Sequence, residues 1–163
     1  MAILPDLDTI APEMVISKGK IIAENGKSLT APRPHEFSAA SRQTVRLPRR
    51  LDAVDFEIST LRQSGGHTIR VIELVTDLVT RESQVELPAE NGRIQIPPGQ
   101  NLLKVAAIDR AHTPGDMFVG LIQGLGLESG AFATSATWDS ADIVVVGASD
   151  ADMALAVNRI HEL

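Results

Sequence analysis

Four histidines, His35, His67, His112 and His161, are the only imidazoles available for metal ligation or proton transfer. None stands in an H-x-H or H-E-x-x-H arrangement, the spacings that bring two ring nitrogens onto one ion. His112, in a loop with Arg110, Pro114 and Gly115, is the one placed for ligand contact, and His161 falls near the end of a predicted helix, where positive charge is favoured. Asp139, Asp142, Asp150 and Asp152 gather carboxylates around the last apolar run but lack the alternating Asp/Asn pattern and closing Glu of a calcium loop. Gly120, Gly124, Gly126 and Gly130 form a G-x-x-x-G-x-G-x-x-x-G run, with neither the dinucleotide fingerprint nor a G-K-[ST] ending. Close backbone packing explains such glycines more economically than phosphate binding. Ser135 and Ser140 have no G-x-S-x-G elbow, so a serine nucleophile has no support.

The elements that must position these residues are legible in part. Met14–Ser17 and Lys20–Ala23, separated by Lys18-Gly19, predict a hairpin with a primed turn, closed by Asn25-Gly26. Residues 30–36 carry Pro32 and Pro34 at alternate positions, which hold the backbone extended and mark a linker. Leu51–Ile58 reads as a turn of helix opened by Asp52 and leading into a strand. His67–Val75 and Val79–Leu87 alternate as half-wet strands, Asn91-Gly92 marks a turn, and Leu102–Ile108 reads as a central strand. Met117–Leu127 reads as a short helix that Gly124 and Gly126 terminate. Ala131–Ala136 and Asp142–Gly147 read as strands. The last element is a helix capped by Ser149 or Asp150, with Met153, Ala156, Val157 and Ile160 on its buried face. The fold class is α+β, a mixed and largely antiparallel sheet with a C-terminal helix.

Composition narrows the function. In 163 residues, 15 basic against 21 acidic side chains leave a net charge of −6, which gives no electrostatic reason for binding nucleic acid or an anionic membrane. With no Cys there are no disulfides, thiolate sites or Cys nucleophile, a composition suited to a reducing cytoplasm. Four Phe, one Trp and no Tyr leave almost nothing for base-stacking platforms. No apolar run reaches the ~18 residues of a membrane span, and the first residues lack a signal-peptide pattern.

One long string carries a resemblance. Gly120-Leu-Ile-Gln-Gly-Leu-Gly-Leu-Glu-Ser-Gly130-Ala, an Ala/Ser run, Trp138-Asp139-Ser140-Ala141-Asp142, the strand to Gly147 and the helix ending Ala-Val-Asn158-Arg159 together resemble the final domain of bacterial adenine deaminases. That family carries G-L-x-x-G-F-G-L-x-x-G-A and then H-D-S-H-N. The strands at Arg70-Val71-Ile72 and Leu103-Lys104-Val105 look like their counterparts, and Val15–Gly26 resembles the sandwich strands that follow an amidohydrolase barrel. The resemblance implies three parts: residues 1–30 as a β-hairpin segment of a composite β-sandwich, 31–50 as a linker and 51–163 as the C-terminal-like domain. It further implies an enzyme that hydrolyses adenine at a manganese or iron centre, whose metal ligands lie on a barrel that would precede residue 1, with the family continuing past Leu163. On this reading the chain holds no catalytic group, cofactor or metal of its own. Its partner is the barrel domain or subunit, a homo-oligomer is open to it, and it exposes an apolar patch where the partner sits. The motif-equivalent positions are Trp138, Asp139, Ser140, Gly124 and Gly126, and both family histidines are replaced, by Trp138 and Ala141. The alternative is a stand-alone module in which the Gly-rich segment and the Trp138 loop bind a small ligand or a protein.

Overall fold

The computed structural model describes residues 1–112, 115–138 and 140–162, and they form two compact units, Met1–Ala39 and Ala40–Leu163. The first is a four-stranded antiparallel sheet, β1 (Ala2–Ile3), β2 (Met14–Ser17), β3 (Lys20–Glu24) and β4 (Lys27–Ser28), in sequential order. The turns are set by local chemistry. Lys18 and Gly19 have φ of 46° and 73°, and Asn25 and Gly26 have 50° and 75°, so both connections place two residues in the left-handed region, as a type I′ turn demands. No residue from 1 to 39 is buried, and Leu7 and Ile10 are almost fully exposed.

A one-turn helix, α1 (Ala39–Arg42), begins at the last residue of the first unit and runs into the second, where Val45 and Leu47 already pack on the core. Asp52 then starts a 3₁₀ turn, Ala53–Phe56, as the capping residue at its head predicts. Asp55 accepts the Asp52 N–H at 2.8 Å, and Arg49 grips the same carboxylate with two nitrogens at 2.5 and 2.7 Å. The strand expected directly after this turn does not form. Phe56 is driven wholly into the core, and the chain beyond it makes only an isolated bridge, Ser59 to Arg93.

Seven strands follow: β5 (Ser64–Leu74), β6 (Thr80–Glu90), β7 (Arg93–Ile94), β8 (Leu102–Ile108), β9 (Met117–Gln123), β10 (Ala131–Thr134) and β11 (Ile143–Gly147). Their order is β10-β11-β8-β9-β5-β6-β7, antiparallel throughout except β5 beside β9. The helix predicted over 117–127 is thus corrected to strand β9. Phe118, Val119 and Ile122 favour extended backbone, and β8 offers partners along the whole run, from Met117 opposite Ile108 to Gln123 opposite Leu102. Gly124, at φ 96°, ends the strand where a Cβ would press on Leu74 at 3.3 Å.

The last helix, α2 (Asp150–Glu162), is capped by Ser149, whose hydroxyl accepts the Asp152 N–H at 3.3 Å. Its buried face is Met153, Ala154, Val157 and Asn158; Ala156 and Ile160, predicted to share that face, lie half-buried at its margin. The helix packs on one side of the sheet only. Leu51, Phe56, Ala106, Ile108, Ile143, Val145, Met153 and Val157 form the main core there, with a second cluster of Val71, Leu87, Ile94 and Leu121 under the β5–β6 ribbon.

Asn158 locks this arrangement. Its side-chain oxygen accepts the Leu51 N–H at 2.9 Å and its amide donates to the Leu51 carbonyl at 2.8 Å, so one buried amide replaces a missing strand partner.

Candidate functional site

Three connections meet at one end of the sheet: the β7–β8 segment, the β9–β10 loop and the β11–α2 turn. They enclose an open cleft of about 990 Å3, lined by Ile96, Pro97, Asn101, Lys104, Gly126 and Ser149 among others. Lys104 points under the start of α2 and donates to both oxygens of Asp150, at 2.6 and 2.7 Å, with only 13% of its side chain exposed. That pair ties strand β8 to the helix start; both charges are spent on each other, leaving the cleft with no uncompensated ion at that point. Asn101 fixes the opposite wall by accepting the Gly126 N–H through its side chain at 3.0 Å and the Gly124 N–H through its backbone at 3.3 Å. Gly147 allows the close approach of α2, since a Cβ there would fall 2.5 Å from the Met153 side chain and 2.7 Å from that of Ala131.

The β10–β11 loop, at the other end of the sheet, carries Trp138 and Ser140. Trp138 is 99% exposed. The Ser140 hydroxyl accepts the Asp142 N–H at 3.3 Å, an ordinary turn contact. Asp139 lies outside the described residues. Ala141 holds φ 58°, and its carbonyl accepts a hydrogen bond from the Arg110 side chain at 2.5 Å. The neighbouring Asp109 accepts from the Ala111 and His112 backbone and pairs with the His112 ring at 2.6 Å. The Ala111 N–H first and the imidazole second hold the Asp109 carboxyl below its ordinary range.

The structure therefore holds the Gly124 and Gly126 N–H groups on Asn101, with Gly126 lining the cleft and Gly124 a smaller pocket beside Leu74 and Gln123, and sets Trp138 and Ser140 apart from them. Four paired residues of β10 and β11 intervene, about 13 Å at ~3.3 Å per residue. A small-ligand pocket shared by the Gly-rich segment and the Trp138 loop does not form, since the cleft lining includes Gly126 and no described residue of that loop. The sequence reading missed Lys104, Asp150 and Asn101 as cleft residues. Lys104 stood out as the only charge within the apolar run 102–108, which was the available signal.

Among the described residues the donor set for a manganese or iron centre does not assemble. Among the described residues no three His, Cys, Asp or Glu side chains converge. His67 has its Nδ1 3.4 Å from the Thr60 hydroxyl and its Nε2 buried without a hydrogen-bond partner among the described residues, His112 belongs to Asp109, and Asp150 belongs to Lys104. No helix among the described residues is long and apolar enough to cross a membrane.

A model of the adenine deaminase C-terminal domain matches residues 77–163. An adenine deaminase of Dehalococcoides mccartyi strain CBDB1 is 34% identical over 164 residues, covering the whole chain and 28% of that protein. Adenine deaminases of Kosmotoga olearia, 34% identical, and Cenarchaeum symbiosum, 30% identical, align with 99% and 98% of the chain and with 27% and 26% of their own lengths. The chain spans a little over a quarter of the length of the curated relatives it matches.

Proposed function

The chain belongs to the adenine deaminase C-terminal domain family, and from that membership we propose that it serves as an accessory region of an adenine deaminase. It works with a metal-bearing amidohydrolase barrel and supplies no catalytic group itself. The reaction served is adenine plus water to hypoxanthine plus ammonia: a water oxygen bonds to the ring carbon bearing the amino group, and that carbon–nitrogen bond breaks. Manganese or iron would belong to the barrel, and a cytoplasmic setting accompanies the reading.

One observation carries it. The sheet of residues 1–39 has no buried residue, although Ile3, Leu4, Ile21 and Leu29 are all apolar. A short-stranded sheet of this kind needs a second layer to be stable, and the resemblance to a composite sandwich supports a layer supplied by the polypeptide bearing the barrel. The resemblance sets Trp138 and Ala141 where that family carries histidines, and neither side chain titrates or ligates, which supports a non-catalytic part.

A second reading, a stand-alone small-ligand module, draws on the cleft beside Lys104, whose volume falls in the ~300–1,000 Å3 range of ligand sites. The discriminating experiment follows hypoxanthine formation from adenine with Mn²⁺, using the purified chain alone and then with a separately produced amidohydrolase barrel. The expected result is silence alone and turnover with the barrel. Turnover by the chain alone refutes the accessory reading, and silence in both favours the ligand module.

A further inference from the structure

Among the described residues of the second unit, taken by itself, the seven-stranded sheet is covered on one side and bare on the other. Cross-strand partners share a face, so the register places Phe132, Val146, Val105 and Gly120 in one row across β10, β11, β8 and β9. The adjacent row on the same face runs through Thr134, Val144, Ala107 and Phe118. None of these is charged, and α2 and the 3₁₀ turn lie on the opposite face with Ala106, Ile108 and Val145. Among the described residues the bare side has only a small cluster, Leu103, Ile122 and Val146, screened by Leu125 and Leu127 from the β9–β10 loop. Phe118 and Phe132 remain 65% and 49% exposed on it. The Phe118 ring folds back over Gly120, within 2.8 Å of where a Cβ would stand, so the ring lies along the strand and flattens the surface.

We propose that this bare face, centred on Phe118 and Phe132, is the surface on which the unit carrying residues 40–163 docks against the barrel-bearing part of an adenine deaminase. The inference rests on the accessory reading above and adds the side of the sheet that makes the contact. Its anatomy fits. Four strands at ~4.8 Å spacing make an apolar strip about 15 Å across, and on the same face β5 and β6 present Arg70 paired with Glu82 at 2.5 Å and Thr68 bonded to Glu86. An apolar centre carrying aromatic anchors, with a polar margin on one flank, is how a stable interface is built.

The relatives point to the occupant. They carry nearly three-quarters of their length outside the matched region, in the same polypeptide. A tethered domain faces the strip at an effective concentration of about millimolar, well above what a second free copy reaches.

The test places the full chain in the Dehalococcoides mccartyi enzyme, in exchange for the quarter of that protein it aligns with. Three forms are compared: the unchanged chain, the double variant F118E/F132E, and L155E on the exposed side of α2 as a control. Both rings are exposed, so the double variant should keep the wild-type circular dichroism spectrum and melting point in the isolated chain. In the exchanged enzyme it should speed proteolytic release of the C-terminal piece more than tenfold, with L155E unchanged. Release by L155E but not by the double variant, or by neither, overturns this docking face and leaves the accessory reading standing. An unchanged chain that is itself released freely refutes the accessory reading, and the docking face with it. If the isolated chain sediments as a dimer that F118E/F132E dissociates, while the exchanged enzyme is insensitive to that variant, the strip belongs to a second copy and the proposal fails.

Discussion

Replacing Asn158 should damage this fold more than its position near the end of a helix would indicate. Its side chain is buried and serves both backbone groups of Leu51, which is itself buried, at 2.9 and 2.8 Å. Asn158→Leu keeps the volume and removes both partners, leaving one N–H and one C=O without water or protein to bond. At about 1–3 kcal/mol for each stranded group, partly offset by the added apolar contact, the loss is about 3 kcal/mol, or a fall in Tm of about 10 °C. Asn158→Asp provides the sharper test. Protonated, the acid still donates to the Leu51 carbonyl and accepts from its N–H; ionised, it sets a buried negative charge against that carbonyl. Burial and the carbonyl raise the folded-state pKa above the unfolded value. The variant therefore approaches wild-type stability below the ordinary Asp range, near pH 4, and falls away from it as the pH rises. Urea titrations followed by circular dichroism at pH 4 and pH 7 measure both effects. A cost below about 1 kcal/mol for Asn158→Leu, or a deficit of the Asp variant that does not grow with pH, would refute this role for Asn158.

Gly147→Ala should destabilise by about 2 kcal/mol in a thermal melt, because the new methyl meets Met153 and Ala131 well inside contact distance. Ala141→Gly should stabilise by about 0.5–1 kcal/mol in the same measurement, since φ 58° costs an L-residue more than the added chain entropy of glycine. The Arg49 side chain holds the Asp55 carboxyl below its ordinary range, so this contribution is complete above the unfolded pKa and fades as pH falls through the folded one. Asp55→Asn should lower the melting temperature at pH 7 and flatten its decline below about pH 4, tracked by calorimetry. Trp138, the single Trp and 99% exposed, should emit as a solvated indole and shift little on unfolding in guanidinium; a blue-shifted native spectrum would show the loop covered.

What the residues by themselves determined is whatever depends on neighbours along the chain. Lys18-Gly19 and Asn91-Gly92 specify their turns because only left-handed backbone closes a two-residue hairpin, and Ser149 specifies the start of α2 because its hydroxyl caps the helix beginning next to it. The α+β class and the long β5 and β6 strands were legible by the same local logic, and the Gly120–Gly147 string carried the family. Contacts distant in sequence belonged to the tertiary structure. Met117–Gln123 became a strand because β8 and β5 hold its backbone bonds, an outcome its own propensity left open. Asn158 bonded Leu51, 107 residues away, and Lys104 found Asp150, 46 residues away, since burial obliges a polar group to take the partner that folding brings to it. The separation of Gly126 from Trp138 likewise follows from strand length and direction. Both lie within twelve residues of each other in sequence, yet β10 carries the chain from one end of the sheet to the other between them.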